Sequence, residues 1–125
     1  AKDKADRSGT CALALLLRGH RLFVASVGDC RALLLRDAAH AEPVVQLTTD
    51  MRATTPAEHQ RITKAGGHID DGRVWGALIP SRTVGDFPWK DKGPGLIATP
   101  EACELEISPA DKCAAARAAA RARPP

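Results

Sequence analysis

Few residues in this chain have the types and spacing to do chemistry, and they fall in two short segments. The first is Val27-Gly28-Asp29-Cys30-Arg31. A glycine closing an apolar run lets the backbone turn sharply and holds the following carboxylate at a strand end. Rigid aspartates of this kind, with water, build the oxygen-rich sites that take Mg²⁺ or Mn²⁺. By itself Gly-Asp is also an ordinary turn pair. The second segment is Ser81-Arg82-Thr83-Val84-Gly85-Asp86. A guanidinium fork beside a hydroxyl matches phosphate oxygens. The plainer alternative is that Ser81 caps a turn and Arg82 pairs with a buried acid.

Other chemistries find little support. The histidines at 20, 40, 59 and 68 stand singly in expected loops or on a polar helix face, without a paired spacing, so they read as solvated side chains. Asp70-Asp71 reads as a turn. Gly93-Pro94-Gly95 lacks the lysine of a nucleotide phosphate loop, and no GxSxG elbow occurs. The cysteines at 11, 30, 103 and 113 show no CxxC spacing, which argues for buried reduced thiols and against a zinc site or a disulfide framework.

The elements that must position these segments are short. Thr10 to Leu17, Arg21 to Val27, Cys30 to Leu35 and Val44 to Thr48 are apolar runs broken by Gly/Asp turns, the pattern of a β-meander. The unalternated Leu15-Leu16-Leu17 and Leu33-Leu34-Leu35 predict strands covered on both faces. One helix follows, with Thr55 as cap, Pro56 in its first turn, Glu58 completing a capping box and Gly66-Gly67 ending it. Its thin stripe of Ile62 and Ala65 predicts a small surface helix. Asp71-Gly72 predicts a hairpin between His68-Ile69-Asp70 and Arg73 to Ile79. Residues 80–95 read as loop with one helical turn near Ser81–Val84. Leu96-Ile97-Ala98 and Cys103 to Ile107 read as strands. From Ala110 the chain is rich in Ala and Arg and is expected to be a helical or disordered tail.

Length and charge bound what these elements can be. The 125 residues fit one domain or part of one. Of the 44% hydrophobic residues, 23 are alanine, and Leu, Ile, Val and Phe number only 25, a thin supply for a core. No run of about 18 apolar residues can span a membrane, and the polar start has no signal-peptide h-region. An intracellular protein, cytoplasmic or nuclear, is expected. The net charge of +3 comes entirely from Lys112, Arg117, Arg121 and Arg123 against Asp111, so the body is neutral and shows no basic face for nucleic acid.

The order of the segments carries more than any one of them. Ser8-Gly9-Thr10-Cys11-Ala12, then Leu22 through Ala32 with Gly28-Asp29-Cys30-Arg31, then Leu47-Thr48-Thr49-Asp50 resemble the metal-dependent type 2C protein Ser/Thr phosphatases, the PPM family. The likeness continues through Glu58, Arg61-Ile62, Ala65-Gly66-Gly67, Arg73-Val74 and Ser81 to Asp86, and closes at Leu96 to Glu101. The resemblance implies an α+β fold: part of a β-sandwich of antiparallel sheets flanked by helices, lacking its N- and C-terminal parts, with residues 1–109 as the central portion and 110–125 as a tail. It implies removal of phosphate from phosphoserine and phosphothreonine of proteins by water activated at a Mg²⁺ or Mn²⁺ pair.

In the resemblance Asp29 matches an aspartate that binds an additional, weakly held metal. Gly28 and Asp86 lie in the active-site vicinity, and residues 49–73 match the flap beside the site. No residue of this chain is assigned as catalytic. The family's principal ligands, on an upstream Asp-Gly-His-Gly-Gly and on downstream Asp-Gly-Leu-Trp-Asp and Asp-Asn segments, are not in this sequence, and Pro80 replaces a small or β-branched residue. A truncated or frame-shifted gene product, monomeric and inactive alone, is expected. The partner implied is a phosphoprotein substrate. The competing readings are a non-catalytic binding module and a gene remnant.

Overall fold

The computed structural model describes residues 7–37, 39–109 and 111–117, with residues 112–117 described as backbone only. In chain order the elements are β1 (Gly9–Thr10), β2 (Ala12–Arg18), β3 (Arg21–Val27), β4 (Arg31–Arg36), β5 (Val44–Gln46), α1 (Pro56–Lys64), β6 (Ile69–Asp70), β7 (Arg73–Val74), β8 (Val84–Gly85), α2 (Phe87–Lys90), β9 (Glu101–Glu106) and β10 (Asp111–Arg117).

Two three-stranded antiparallel sheets, in the orders β2-β3-β9 and β10-β4-β5, carry most of the structure. The β2-β3 hairpin keeps strict register from Ala12↔Val27 to Arg18↔Arg21. Alternation along these strands therefore places one row of each inward. Leu22, Val24 and Ala32 form a buried cluster, with Leu13, Leu15, Leu47, Leu105 and Ile107 packed on it. That cluster joins the inner face of β2-β3-β9 to β4 and to the segment after β5. The α+β, largely antiparallel architecture expected from the sequence is present.

The expectation that β2 is covered on both faces is not met. Leu16 and Leu17 are 62% and 60% exposed. The outer face of this sheet is an open groove of about 380 Å³ floored by Ala14, Ala25 and Ala102 and walled by Leu16 and Phe23. Cys103, expected to be buried, is exposed at the same sheet; Cys30 is buried and Cys11 half-buried.

A second core lies under residues 50–97. Ala53, Ile62, Val74, Leu78 and Leu96 are buried together, with Ile69, Trp75, Ala77 and Trp89 against them. Helix α1 is the surface helix expected from its thin apolar stripe, with Pro56, Ala57, His59, Gln60, Thr63 and Lys64 exposed, but it sends Ile62 into this core. One fully buried isoleucine is enough, because the surrounding turns close over it. Substitution of Ile62 by Val is expected to cost about 0.5–1.5 kcal/mol, read as a lowered urea midpoint at unchanged slope.

The Asp71-Gly72 hairpin forms as expected, with Asp70↔Arg73 pairing across it. Its second strand stops at Val74, because Trp75 and Gly76 both adopt positive φ (54° and 67°) and make a further tight turn that brings Leu78 back to Val74. The helical turn expected near Ser81–Val84 sits at Phe87–Lys90 instead. Arg82 bridges to Ile97 and Val84-Gly85 pairs with Gly9-Thr10, so the earlier residues are extended.

The alanine-rich segment is the clearest correction. Residues 111–117, expected to be helical or disordered, form β10 along β4, with Ala114↔Leu34 and Ala116↔Ala32 in register. Alanine's helix preference amounts to only a few tenths of a kcal/mol per residue over most other types. An open strand edge offers a full row of backbone partners and outweighs it. Residues 118–125 lie outside the described residues.

Candidate functional site

Gly28 ends β3 with φ +95°, a value open to glycine alone, and the turn it makes is crowded. A Cβ there would stand 2.3 Å from Cys11 Sγ and 3.0 Å from the Arg82 carbonyl. So Ser8–Cys11, the Gly28 turn and the Ser81–Asp86 segment, remote in sequence, converge at one end of the sheets. The Met51 N–H donates to the Gly28 carbonyl at 3.1 Å and fastens the start of the flap to the same turn.

Asp29 is 7% exposed. Its Oδ1 accepts from Cys11 Sγ at 3.4 Å and its Oδ2 from Arg52 Nε at 3.1 Å. Arg52 Nη2 also stands 3.6 Å from Asp50. Asp50 in turn takes two bonds from Arg31, at 2.7 and 2.6 Å. Thr48 positions this loop: its hydroxyl accepts from the Ala32 N–H and donates to the Cys30 carbonyl. The Arg31 fork beside Asp50 holds that carboxyl below the usual carboxylate range. Burial pushes the Cys11 thiol up to about 11, and burial likewise raises Cys30. Both thiols are therefore neutral near pH 7, and Cys11 serves Asp29 as a donor and not as a nucleophile.

Asp86 is 1% exposed and sits at φ +53° as the residue before α2. Its N–H donates to the Ser8 carbonyl at 2.8 Å, and its carbonyl accepts from Trp89 and Lys90. Its side chain packs flat on Gly9, where any Cβ would lie 2.0 Å from Asp86 Cγ. Asp86 thus lies beside Ser8-Gly9 and Asp29 beside Cys11, so one four-residue segment links the two.

Among the described residues a further polar cluster centres on Glu58, which the sequence alone does not place beside Ser81 and Arg82. Glu58 is 5% exposed and accepts from Ser81 Oγ at 2.5 Å, Arg82 Nη2 at 2.7 Å and Arg61 Nη2 at 2.8 Å. Arg82 goes on to the Thr99 carbonyl at 3.1 Å and to Glu101 at 3.0 Å. Burial alone would raise the Glu58 carboxyl; the hydrogen bonds from Arg82, Arg61 and Ser81 outweigh it and hold it at about 2. Of the two readings open for Arg82, pairing with a buried acid is the one realised. The Thr55–Glu58 spacing predicts a capping box, but Thr55 makes no side-chain cap and donates to the Asp50 carbonyl instead. The signal that could have found the network was an acid three residues before Arg61, on the same helix face as Ile62.

Can these residues hold a divalent cation? Among the described residues no three His, Cys, Asp or Glu side chains converge for one. Asp29 brings a single carboxylate whose oxygens are engaged by a guanidinium and a thiol. Six or more oxygens are the ordinary demand of such an ion. The described residues do not make up a metal centre. All four histidines are exposed, as solvated side chains should be.

Comparison with known proteins gives one consistent result. The model of the family described as Protein phosphatase 2C matches residues 1–115. The chain is 42% identical over 109 residues to the rice protein "Probable protein phosphatase 2C 2", covering 84% of this chain and 27% of that one. It is 32% identical over 114 residues to the bovine "Integrin-linked kinase-associated serine/threonine phosphatase 2C", covering 90% and 30%. Among solved structures, a Caenorhabditis elegans sex determining protein superposes with TM-score 0.70 at 24% identity, over 84% of this chain and 26% of that one. A phosphatase from a pathogenic strain of Toxoplasma gondii superposes at 0.55 with 31% identity, over 74% and 30%. The chain spans 27% to 30% of the length of these two curated relatives. With its motifs gathered at one sheet end and its sequence matched along nearly its whole length, this chain belongs to the protein phosphatase 2C family.

Proposed function

We propose that the chain is the flap-bearing central portion of a metal-dependent protein serine/threonine phosphatase domain, the class that takes phosphate from phosphoserine and phosphothreonine of proteins with Mg²⁺ or Mn²⁺. The observation that carries this reading is the convergence of Ser8–Cys11, Gly28-Asp29 and Ser81–Asp86 at one sheet end, beside the flap of residues 49–73 that Met51 fastens to the Gly28 turn. The names of the matched relatives support the activity, and the family is generally metal-dependent. In this reading the chain's own residues are scaffold. Glu58 and Arg82 lock the flap helix to the segment after Pro80, and Asp86 sets the turn into α2. We take the protein to be an intracellular monomer acting on phosphoproteins, with no nucleic-acid partner. No helix among the described residues is long and apolar enough to cross a membrane.

Since the metal centre is not made up by these residues, the 125-residue chain is expected to hydrolyse p-nitrophenyl phosphate no faster than buffer containing the same Mn²⁺. Turnover on the scale of a full phosphatase domain would overturn this. A second reading, a phosphoprotein-binding module, takes its lack of catalysis from one feature: Asp29, Asp50 and Glu58 are each bonded to arginine, so none of these three carboxylates is open to a cation. Calorimetry with a phosphopeptide in EDTA separates the two, because only the binding module retains affinity without metal.

A further inference from the structure

We propose that Asp29 serves in this chain as the acceptor of an arginine tether, with Arg52 of the flap, and not a divalent cation, as its charge partner. The proposal concerns only the chain's own ion pairs, so it stands or falls independently of whether the protein hydrolyses phosphate.

The geometry is a ladder of alternating charge. Arg31 at the start of β4 forks onto Asp50, Asp50 faces Arg52, and Arg52 Nε reaches Asp29 Oδ2 at 3.1 Å. Two guanidiniums balance two carboxylates. Two separate pieces of chain contribute: the β3–β4 turn running into β4, with Asp29 and Arg31, and the start of the flap, with Asp50 and Arg52. The Asp29 side chain is 9% exposed, so its partner must be supplied by the fold or the charge would lie buried alone. Its other oxygen accepts from Cys11, whose thiol stays neutral and cannot add a second negative charge.

A cation at Asp29 would have to displace the guanidinium, lie beside a second arginine on Asp50, and take nearly all of its oxygens from water. Arg52 meets none of these obstacles. Its planar fork spans both acids at once, which a spherical ion held by one carboxylate does not do.

The tether has a definite consequence for the flap. Arg52 pairs with Pro80 in an isolated bridge, and its neighbours Met51 and Ala53 donate to Gly28 and Ile79. Arg52 therefore fixes the point at which the flap leaves the sheets, and it acts as a positioning residue. In this chain Asp29, occupied in this way, sets where the flap begins.

The test uses the full 125-residue chain. Thermal melting and amide hydrogen exchange are followed for wild type, Asp29→Asn, Arg52→Ala and the double variant, each in excess Mn²⁺ and in EDTA. Both single variants are expected to lower the melting temperature, and the double variant to lower it no further than the worse single, as two halves of one interaction do. Exchange at the Met51 and Ala53 amides should rise about ten-fold. Mn²⁺ should leave every melting temperature where EDTA leaves it. A Mn²⁺-dependent rise in wild type that Asp29→Asn abolishes would overturn the proposal, as would additive effects in the double variant. Should Arg52→Ala not fold, Arg52→Lys serves in its place. The ammonium reaches one acid but does not span two, so its shift should be smaller and equally blind to Mn²⁺.

Discussion

Replacing Glu58 by alanine is expected to lower the unfolding free energy by about 3–5 kcal/mol, a large share of what a chain of this size has. The cost comes less from the bonds lost than from the charges stranded. Arg82 is 9% exposed and Arg61 about a quarter, and both aim their forks at the Glu58 carboxylate. Without it, Arg82 keeps only the Thr99 carbonyl and the half-exposed Glu101, and Ser81 loses its acceptor. Urea unfolding at neutral pH reads the effect directly, and a loss below about 1 kcal/mol would show that the network relaxes without penalty.

The same residue predicts an acid dependence. Its carboxyl is depressed from 4.5 to about 2 on folding. A depressed carboxylate stabilises the fold fully above its unfolded value and loses that stabilisation as pH falls towards the folded one. From pH 4.5 down to about 2 the contribution should therefore disappear, to an extent of roughly 3 kcal/mol. Glu58→Ala should flatten this part of the stability-against-pH curve while leaving the neutral region merely lower.

Gly28→Ala is the second large effect, at about 2–5 kcal/mol. Two costs add there. Alanine resists φ +95°, and its methyl would overlap Cys11 Sγ at 2.3 Å and crowd the Arg82 carbonyl at 3.0 Å. Gly19→Ala separates these terms. Gly19 also has positive φ, at +59°, but a Cβ there meets nothing within 4 Å. It should cost only the left-handed backbone penalty, about 1–2 kcal/mol. If the two variants destabilise equally, the close approach of Ser8–Cys11 and Ser81–Asp86 to the Gly28 turn is not what holds this end together. If Gly28→Ala costs clearly more, the convergence is real in solution.

Local patterns in the sequence were a good guide wherever the determinant was local. The β2, β3 and β4 runs and the Asp71-Gly72 hairpin are set by turn residues and neighbouring side chains, and each lies close to where those residues place it. The family likeness was legible for a related reason. Gly28-Asp29 and Ser81 to Asp86 are turn-and-anchor segments whose residue types are dictated by backbone angles, such as φ +95° at Gly28 and +53° at Asp86. Misplacements arose where partners are distant. Leu15-Leu16-Leu17 gave no hint that only one face of β2 would be covered, because apolar content does not say what packs on it.

Residue order alone is enough to read the main strands and turns, the family, and the inventory of acids and arginines. How those charged groups pair emerges only in the folded chain. Glu58 left its helix cap for Ser81 and Arg82, more than twenty positions away, and for Arg61 on its own helix, because burial makes an unpaired carboxylate costly. Asp29 went to Arg52 for the same reason. The alanines of β10 became strand because β4 had an open edge, and an edge is a property of the assembled sheet, written in no local stretch of chain.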